Sequence, residues 1–374
     1  MKKIPVFLPH IDKKMKTHLE DALNVGWLGM GASTKEFETR ISKFLDLKQR
    51  YVISTNTGTS SLHLALKIAG IGSGDEVITP SFNYVADHQA IEMAGAKVVM
   101  CDIKDDNLGI DCKKAELLIS KKTKAIMPLH FAGIICDLEE VYELAKKYGL
   151  RVIEDATHAF GTSVNSKKIG SYGDIVCFSF DPVKIITSID GGCIIVNNKK
   201  ELELGQHYRL LGVDKDTTER YKNKRVWEYD VVSEGYRYHL TNIMASVGIS
   251  QIKQVGKFIK TRQEICRKYN NSFKEIEEIK IPQTDFRNIS PFIYTIRVLN
   301  GKREKLIQHL QERKIDVGIH FIPVHKHSYF KNGKIGDMTI TNAVVNEILT
   351  IPLHSNMKDE FVERIINEIT SFFK

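Results

Sequence analysis

The chain has 374 residues, of which 42% are hydrophobic and 27% charged, and its formal net charge is +8. This is the composition of a globular protein with room for two domains, and no apolar run reaches the roughly 18 residues of a membrane span. The basic residues are mixed with acidic ones, and no helix-turn-helix or zinc pattern favours nucleic acid. We interpret the charge as solvated surface charge, with attraction of a small anionic ligand as the alternative.

The start of the chain and its cysteines bear on the cellular compartment. The start, "MKKIPVFLPH", is basic, but its apolar run is too short for a signal peptide. The six cysteines form no CxxC pair, and several lie in apolar, strand-like runs. We therefore expect reduced, mostly buried thiols in a cytoplasmic protein.

The first two-thirds of the chain alternate between short apolar runs and helical patterns, which predicts an α/β domain with a mainly parallel sheet. The runs are continuously apolar, as expected for strands that helices cover on both faces. The predicted strands are Tyr51–Thr55, Glu76–Pro80, Lys97–Asp102, Lys124–His130, Arg151–Asp155, Asp174–Phe180 and Gly192–Val196. The predicted helices between them include Thr59–Ala69, Val85–Met93 and Leu138–Lys147.

The pattern changes after about residue 245. Helical segments over Ala245–Phe273 precede the strand-like "FIYTIRVL", a helix around Glu304–Arg313, the segment "VGIHFIPV" and a last helix over Lys358–Phe373. This order predicts a smaller α+β domain. We place a large domain over residues 1–250 and a small C-terminal domain over residues 251–374.

Polar segments follow four of the predicted strands, and in an open α/β sheet ligands bind beyond the carboxyl ends of the strands. After the first strand, "TNTGTSSLHLAL" puts Thr57, Gly58 and Thr59 at a helix start, where free N–H groups and the helix dipole attract anions. Gly58 would let the backbone approach an anion closely. An N-cap with a turn glycine is the alternative, and the segment is not a Walker loop, because GxxxxGK[ST] is absent.

Asp155 ends the apolar strand of "VIEDATHAFG", where a carboxylate is costly unless it has a cationic or hydrogen-bonded partner. It could ligate a metal, act as a base or pair with a protonated ring nitrogen, and capping of the next turn is equally open. A metal site of Glu154, Asp155 and His158 lacks further ligands at convincing spacing, so we predict no metal centre.

Lys184 stands in "CFSFDPVKIITSIDGGCIIV", in a loop between two segments with the pattern of buried strands. In a partly desolvated crevice its pKa would fall, because burial disfavours the ammonium form, and the neutral amine could form a Schiff base. Tyr84 could offer an aromatic face to a planar ligand, with core packing as the alternative. The set matches pyridoxal 5′-phosphate (PLP), with its aldehyde on Lys184, its phosphate on Gly58–Thr59 and Ser179, and its ring nitrogen on Asp155.

Several long motifs in order along the chain resemble the DegT/StrS-type sugar aminotransferases, which are fold-type-I PLP-dependent enzymes. They include "TGTSSLHLALKIAGIGSGDEVITPSFNYVA", "VIEDATHAFGT", "GSYGDIVCFSFDPVK" and "DGGCIIVNN", and the likeness runs from "GWLGMGASTKEFE" to "LTIPLHS". The resemblance implies a large domain with a mainly parallel seven-stranded sheet and a smaller C-terminal α+β domain.

The resemblance also implies a role toward the cofactor for each candidate residue. Lys184 corresponds to the Schiff-base lysine, and Asp155 to the aspartate that faces the pyridine nitrogen. His158 stands where Gln or His approaches the cofactor's hydroxyl, and Tyr84 takes the ring-stacking place. The phosphate-binding positions are held by Thr57, Gly58, Thr59 and Ser179.

Members of this family act as homodimers with active sites at the subunit interface, and two of the segments concerned differ or are ambiguous here. The usual GYNxR segment reads "EGYRYHLTN", so Arg237 replaces the asparagine that reaches the partner's phosphate, and His239 replaces the arginine. Arg237 could contact the phosphate or the substrate. In "GIHFIPVHKH", His325 is the best match to a histidine near the substrate, with His320 and His327 as alternatives.

The resemblance implies an aminotransferase that moves an amino group from an amino acid, L-glutamate, to a nucleotide-linked keto sugar for cell-surface polysaccharide or glycan biosynthesis. A 4-keto-6-deoxyhexose is the first choice of acceptor, and a 3-keto sugar is the alternative. Related sugar dehydratases carry histidine in place of the lysine, so Lys184 favours the aminotransferase. A non-enzymatic role is disfavoured, because nearly every cofactor-facing residue type is present.

Overall fold

One large sheet organises the fold, in a computed structural model that describes residues 2–214 and 229–374. The strands are β1 (Tyr51–Thr55), β2 (Glu76–Pro80), β3 (Lys97–Cys101), β4 (Thr123–Ile126), β5 (Arg151–Asp155), β6 (Ser163–Val164), β7 (Lys167–Lys168), β8 (Ile175–Ser179), β9 (Gly192–Val196), β10 (Ile279–Lys280), β11 (Tyr294–Val298), β12 (Lys334–Ile335) and β13 (Ile348–Ile351). The order in the large sheet is β1-β9-β8-β5-β4-β2-β3-β12, and β9 runs antiparallel to both of its neighbours.

Helices surround this sheet and the smaller one. They are α1 (Lys13–Asn24), α2 (Ala32–Leu45), α3 (Gly58–Ile68), α4 (Ala86–Met93), α5 (Cys112–Leu118), α6 (Leu138–Tyr148), α7 (Lys199–Arg209), α8 (Asn242–Ile252), α9 (Val255–Phe273), α10 (Arg303–Glu312), α11 (Thr339–Glu347) and α12 (Asp359–Phe373). Within residues 2–214 and 229–374, no helix is both long and apolar enough to cross a membrane.

The predicted mainly parallel sheet is confirmed, with all seven strands at the expected places. β2, β8 and β9 are buried along their whole length, which explains their unbroken apolar runs. The count of seven strands is wrong, because β12 adds an eighth strand at the sheet edge, where Lys334 pairs with Val99. A two-residue edge strand leaves no period in the sequence to recognise.

The C-terminal region carries a second, antiparallel sheet of β10, β11 and β13. Helix α9 joins two cores: Phe258 packs with the large-sheet core, whereas Tyr269 and Phe273 pack in the core of the small sheet. Ile4, from the start of the chain, also packs in this second core and pairs with Ile315. A division into residues 1–250 and 251–374 stays a prediction, with the first residues of the chain lying against the second part.

The predicted cysteine environment agrees with the fold. All six cysteines are free and buried. Cys177 and Cys193 lie on the paired strands β8 and β9, within the hydrophobic clusters on the two faces of the sheet. They therefore act there as small apolar side chains.

Candidate active site

A cavity of about 450 Å³ lies where the loops after β1, β2, β5 and β8 meet. This is the position expected for a ligand in an open α/β sheet, since the carboxyl ends of parallel strands share one edge. Eight of the ten residues predicted to contact a cofactor or substrate line it, namely Thr57, Gly58, Thr59, Tyr84, Asp155, His158, Ser179 and Lys184. The other two, Arg237 and His325, do not.

The first turn of α3 forms a close-fitting cradle at one end of the cavity. Thr57 is the N-cap, and its hydroxyl oxygen accepts the N–H of Ser60 at 2.9 Å. The first-turn N–H groups of Gly58 and Thr59 have no intrahelical acceptor, as at any helix start. A Cβ on Gly58 would lie 2.7 Å from Ser179 Cβ and 2.8 Å from its Oγ. The glycine therefore brings two N–H groups and a hydroxyl together, as an anion requires.

We expect Gly58→Ala to weaken phosphate binding in this cradle. The new methyl group would push the helix start away from Ser179, since overpacking a tight site costs about 1–3 kcal/mol. The dissociation constant of PLP, measured by titrating cofactor-free protein, should rise about ten- to hundredfold. Gly72→Ala is the control, because a Cβ there meets open space. Equal affinity in both variants would contradict a cradle at Gly58.

Asp155 closes the floor of the cavity at the end of β5 and is 3% exposed. Its Oδ1 accepts the N–H of Thr157 at 2.9 Å, and its Oδ2 has only a long contact of 3.5 Å with Asn83 Nδ2. A buried carboxylate with so few donors is suited to a cationic partner from the cavity side.

Lys184 lies half-buried at the cavity wall, in the loop that follows β8. Its Nζ sits 4.2 Å from the ring centre of Phe292, a residue far along the chain. Burial lowers the pKa of Lys184 to about 8, although the carboxylates of Asp155, Asp181 and Asp87 oppose the shift. Near neutral pH, a substantial fraction of the protein molecules therefore carries Lys184 as a neutral, nucleophilic amine.

The pKa of Lys184 predicts the pH dependence of its reactivity in the cofactor-free protein. The neutral fraction of the amine rises with pH and reaches one half where pH equals pKa. Acylation of Lys184, followed peptide by peptide with mass spectrometry, should therefore have its midpoint near pH 8. Exposed lysines in the same samples serve as the internal control, because a free lysine side chain has an ordinary pKa of about 10.4. A midpoint for Lys184 equal to theirs would contradict its desolvation.

His158 is buried beside the lysine and packs against Phe292, with ring centres 4.3 Å apart. Burial lowers its pKa well below the usual range, and the charge of Lys184 adds to this. Its Nδ1 accepts the N–H of Ala132 at 3.4 Å, so the neutral ring carries its proton on Nε2. His158 is therefore equipped to donate one hydrogen bond to an oxygen.

Tyr84 lies on the rim of the cavity and is 58% exposed. Its ring centre is 5.8 Å from that of Phe321, and the side chain of Asn83 accepts its N–H at 2.6 Å. Core packing, the alternative explanation for this tyrosine, is excluded by its exposure. Stacking of Tyr84 on a ligand ring stays a prediction.

Of the histidines on the loop after residue 318, the one that lines the cavity is His320 rather than His325. His320 lines the cavity, with Nδ1 hydrogen-bonded to the hydroxyl of Thr350 at 2.8 Å, and burial lowers its pKa to about 4. His325 lies outside, with Nδ1 2.8 Å from Ser81 Oγ and Nε2 3.3 Å from Asn342 Oδ1. Both ring nitrogens of His325 thus have protein partners, whereas His327 is exposed. Sequence spacing alone could not separate the three, because their directions depend on the turn between them.

Arg237 is exposed and pairs with Leu210 through a backbone bridge, away from the cavity of its own chain. A second backbone bridge joins Val213 to Val231, and these two residues lie on either side of the segment 215–228, which the structure does not describe. The predicted contact of Arg237 with a phosphate would cross a subunit interface, and it stays a prediction.

The alternative metal site has no geometric support. Glu154 points to the face of the sheet opposite Asp155, since neighbouring strand residues alternate. There it accepts the hydroxyl of Tyr142 at 2.6 Å and lies 3.1 Å from His130 Nε2.

The cavity also has lining residues that the sequence did not predict, among them Phe7, Asn83, Asp87 and Phe292. Asn83 and Asp87 carried a local signal, because they stand four residues apart and their side chains bond across one turn. No local pattern in the sequence indicates Phe7 or Phe292, since they come to the cavity from distant parts of the chain.

Comparison with known proteins assigns the chain to a family. The model of the DegT/DnrJ/EryC1/StrS aminotransferase family matches residues 9–370. The chain belongs to this family. It is therefore a PLP-dependent sugar aminotransferase with the fold-type-I architecture, as its motifs predicted.

Relatives and solved structures agree with this assignment over nearly the whole length. The UDP-4-amino-4-deoxy-L-arabinose–oxoglutarate aminotransferase of Shewanella sediminis is 32% identical over 98% of this chain and 97% of its own. The GDP-perosamine synthase of Vibrio cholerae is 31% identical over 99% of both chains. The structure of the putative sugar aminotransferase Spr1654 of Streptococcus pneumoniae in its PMP-form has a TM-score of 0.92, at 29% identity over 98% of both chains.

The cavity residues of this family member fit PLP on three observations. The space between Gly58 and Ser179 excludes even a Cβ, yet it gathers donors for a phosphate. Burial gives Lys184 a pKa suited to attack on an aldehyde. Asp155 is a buried carboxylate short of donors, as a protonated ring nitrogen requires.

Proposed function

We propose that the protein transfers an amino group from L-glutamate to a nucleotide-linked keto sugar, with a 4-keto-6-deoxyhexose as the acceptor, for cell-surface polysaccharide or glycan biosynthesis. The observation that carries the chemistry is the desolvated Lys184 in one cavity with Asp155 and the Gly58 cradle. The names of two relatives support the substrates: one is an aminotransferase named for a UDP-linked 4-amino sugar and oxoglutarate, and the other is a GDP-perosamine synthase. Oxoglutarate is what glutamate becomes when it gives up its amino group.

The residue roles follow from the contacts of the site. Bound PLP supplies an aldehyde that condenses with amines and a ring that accepts electrons when a Cα–H bond breaks. Lys184 provides the amine that tethers this group, and its neutral Nζ then accepts the proton from Cα of the amino donor. In the second half-reaction the same nitrogen returns a proton to the sugar carbon.

Three further groups hold the reaction in place. Asp155 presents a negative charge to the ring nitrogen, which keeps that nitrogen protonated. The first turn of α3 and Ser179 would hold the phosphate, and the Nε2–H of His158 would be free to donate to an oxygen of the bound cofactor. His320 lines the same cavity as Lys184, where its neutral imidazole would be able to bond a sugar hydroxyl.

We also propose that the protein acts as a homodimer, with Arg237 reaching the partner's phosphate. Three large hydrophobic side chains are more than half exposed in the single chain, namely Tyr84, Val231 and Val232. A second copy of the chain packed against them would remove this apolar surface from water. A mass in solution near twice 42.5 kDa supports this, and a mass of one chain in the active enzyme contradicts it.

The substrate proposal is tested by incubating the holoenzyme with glutamate and a panel of nucleotide-linked 3-keto and 4-keto sugars. Mass spectrometry should find an aminated product with a 4-keto acceptor and an equal amount of oxoglutarate. Product with 3-keto sugars alone would move the site of amination to C3. Turnover with simple aldehydes or free keto acids only would overturn the sugar proposal.

A further inference from the structure

A second buried carboxylate lies next to Asp155 at the floor of the cavity. Asp87 is on the first turn of α4, lines the cavity and is 1% exposed. Asn83 connects the two acids: its Nδ2 donates to Asp87 Oδ2 at 2.8 Å and lies 3.5 Å from Asp155 Oδ2. Asp155 is also one of the groups that raise the pKa of Asp87, through its charge and through a side-chain hydrogen bond. The roles derived above use Asp155 alone and leave Asp87 without a function.

The two acids differ in how well the protein stabilises a negative charge. Asp155 accepts a backbone N–H at 2.9 Å and lies near the ammonium of Lys184. Asp87 Oδ1 is buried without a hydrogen-bond partner, and the nearby hydroxyl of Thr79 donates to the carbonyl of Met127 at 2.9 Å. When two carboxylates share one desolvated site, the less stabilised acid keeps its proton.

The groups around Asp87 agree with this ranking. Burial raises the pKa of Asp87 well above its usual range, the neighbouring Asp155 raises it further, and the hydrogen bond from Asn83 opposes the shift only in part. Two further titratable groups that interact with Asp87 are Lys184 on the loop after β8 and the buried thiol of Cys177 on β8. The thiol is neutral, because burial raises its pKa as well.

We propose that Asp87 is a positioning residue that keeps its proton and donates it in a hydrogen bond to Asp155, so that one negative charge, in one orientation, faces the cofactor's ring nitrogen. In this arrangement the carbonyl oxygen of Asp87 accepts from Asn83, and its O–H supplies a second donor to Asp155 Oδ2, whose contact with Asn83 is long at 3.5 Å. The inference rests on the proposed role of Asp155 toward the ring nitrogen, and it does not depend on which sugar is the substrate.

The variants Asp87→Asn and Asp87→Leu test whether Asp87 is protonated or negatively charged in the folded protein. Asparagine reproduces both hydrogen bonds of a protonated Asp87, whereas leucine fills a similar volume and removes them. Glu92→Gln is the matched control, since it changes one exposed acid on the same helix. The infrared spectrum of the cofactor-free protein should contain the carbonyl stretch of a buried carboxylic acid, lost in Asp87→Asn and kept in Glu92→Gln. Absence of that band from the unchanged protein would overturn the proposal.

The reactivity of Lys184 gives a second measurement that needs no cofactor. If Asp87 is neutral, Asp87→Asn leaves the pH midpoint of Lys184 acylation near 8. If Asp87 is charged, its removal takes away an anion and lowers the midpoint. A fall of one pH unit or more in Asp87→Asn would therefore also overturn the proposal.

Cofactor affinity reports the positioning itself. Loss of a hydrogen bond to a charged group costs about 1.5–3 kcal/mol, so Asp87→Leu should raise the dissociation constant of PLP about ten- to hundredfold. Asp87→Asn should stay within about threefold of the unchanged protein. If Asp87→Asn bound PLP as weakly as Asp87→Leu, the negative charge of Asp87 would be needed and the proposal would be wrong. If Asp87→Leu bound PLP with unchanged affinity, Asp87 would not position Asp155, which also contradicts the proposal. If the leucine variant does not fold, the infrared and acylation results on Asp87→Asn still decide.

Discussion

Lys184→Ala is expected to lower turnover by at least about 10³- to 10⁴-fold, because one nitrogen performs both the covalent and the proton-transfer steps. The alanine variant has no amine to tether PLP, so the visible absorbance of the bound cofactor should shift or disappear. Turnover is measured as oxoglutarate formed from glutamate, and the cofactor state by absorption spectroscopy. The fold should survive, since Lys184 is half-buried at a cavity wall and its Nζ lies over the ring of Phe292.

Lys200→Ala is the matched control for this variant. Lys200 is an exposed lysine on α7, so its loss removes the same charge without touching the cavity. It should keep the turnover and absorbance of the unchanged protein. A Lys184→Ala enzyme with more than about a tenth of the original turnover would refute the assignment of Lys184 as base and tether.

Asp155→Asn is expected to lower turnover about 100-fold while the chain remains folded. Asparagine is close in shape and can still accept the N–H of Thr157, which Asp155 accepts at 2.9 Å. It carries no charge, however, and a buried charge-assisted hydrogen bond is worth about 1.5–3 kcal/mol. Without that charge the ring nitrogen loses its proton more easily and the ring accepts electrons less well.

The pattern of losses distinguishes this role from a structural one. Asp155→Asn should lower kcat in both half-reactions, and the pH dependence of the bound cofactor's absorbance should change with it. Asp106→Asn, an exposed aspartate in the turn after β3, should leave both unchanged. Unaltered kcat in Asp155→Asn would contradict a charge at the ring nitrogen.

Much of the architecture could be predicted because its signals are local. The seven predicted strands of the large sheet are short, largely apolar runs such as Ile175–Ser179, and burial on both faces produces that pattern directly. The strand-end residues Asp155 and Ser179 and the helix start at Gly58 follow from the same runs. The eighth strand, β12, was missed, because two exposed residues at a sheet edge are stabilised by their neighbour β3 and not by their own composition.

The sequence by itself determined the chemistry of this protein: a lysine, an aspartate and a phosphate cradle, each at the end of its own strand and each recognisable within a few residues. The tertiary structure decided how these groups are tuned. Phe292 covers Lys184, His320 rather than His325 enters the cavity, and Asp87 meets Asp155. The physical reason is that desolvation and charge pairing depend on atoms brought together from distant parts of the chain. No local pattern records which of them are neighbours.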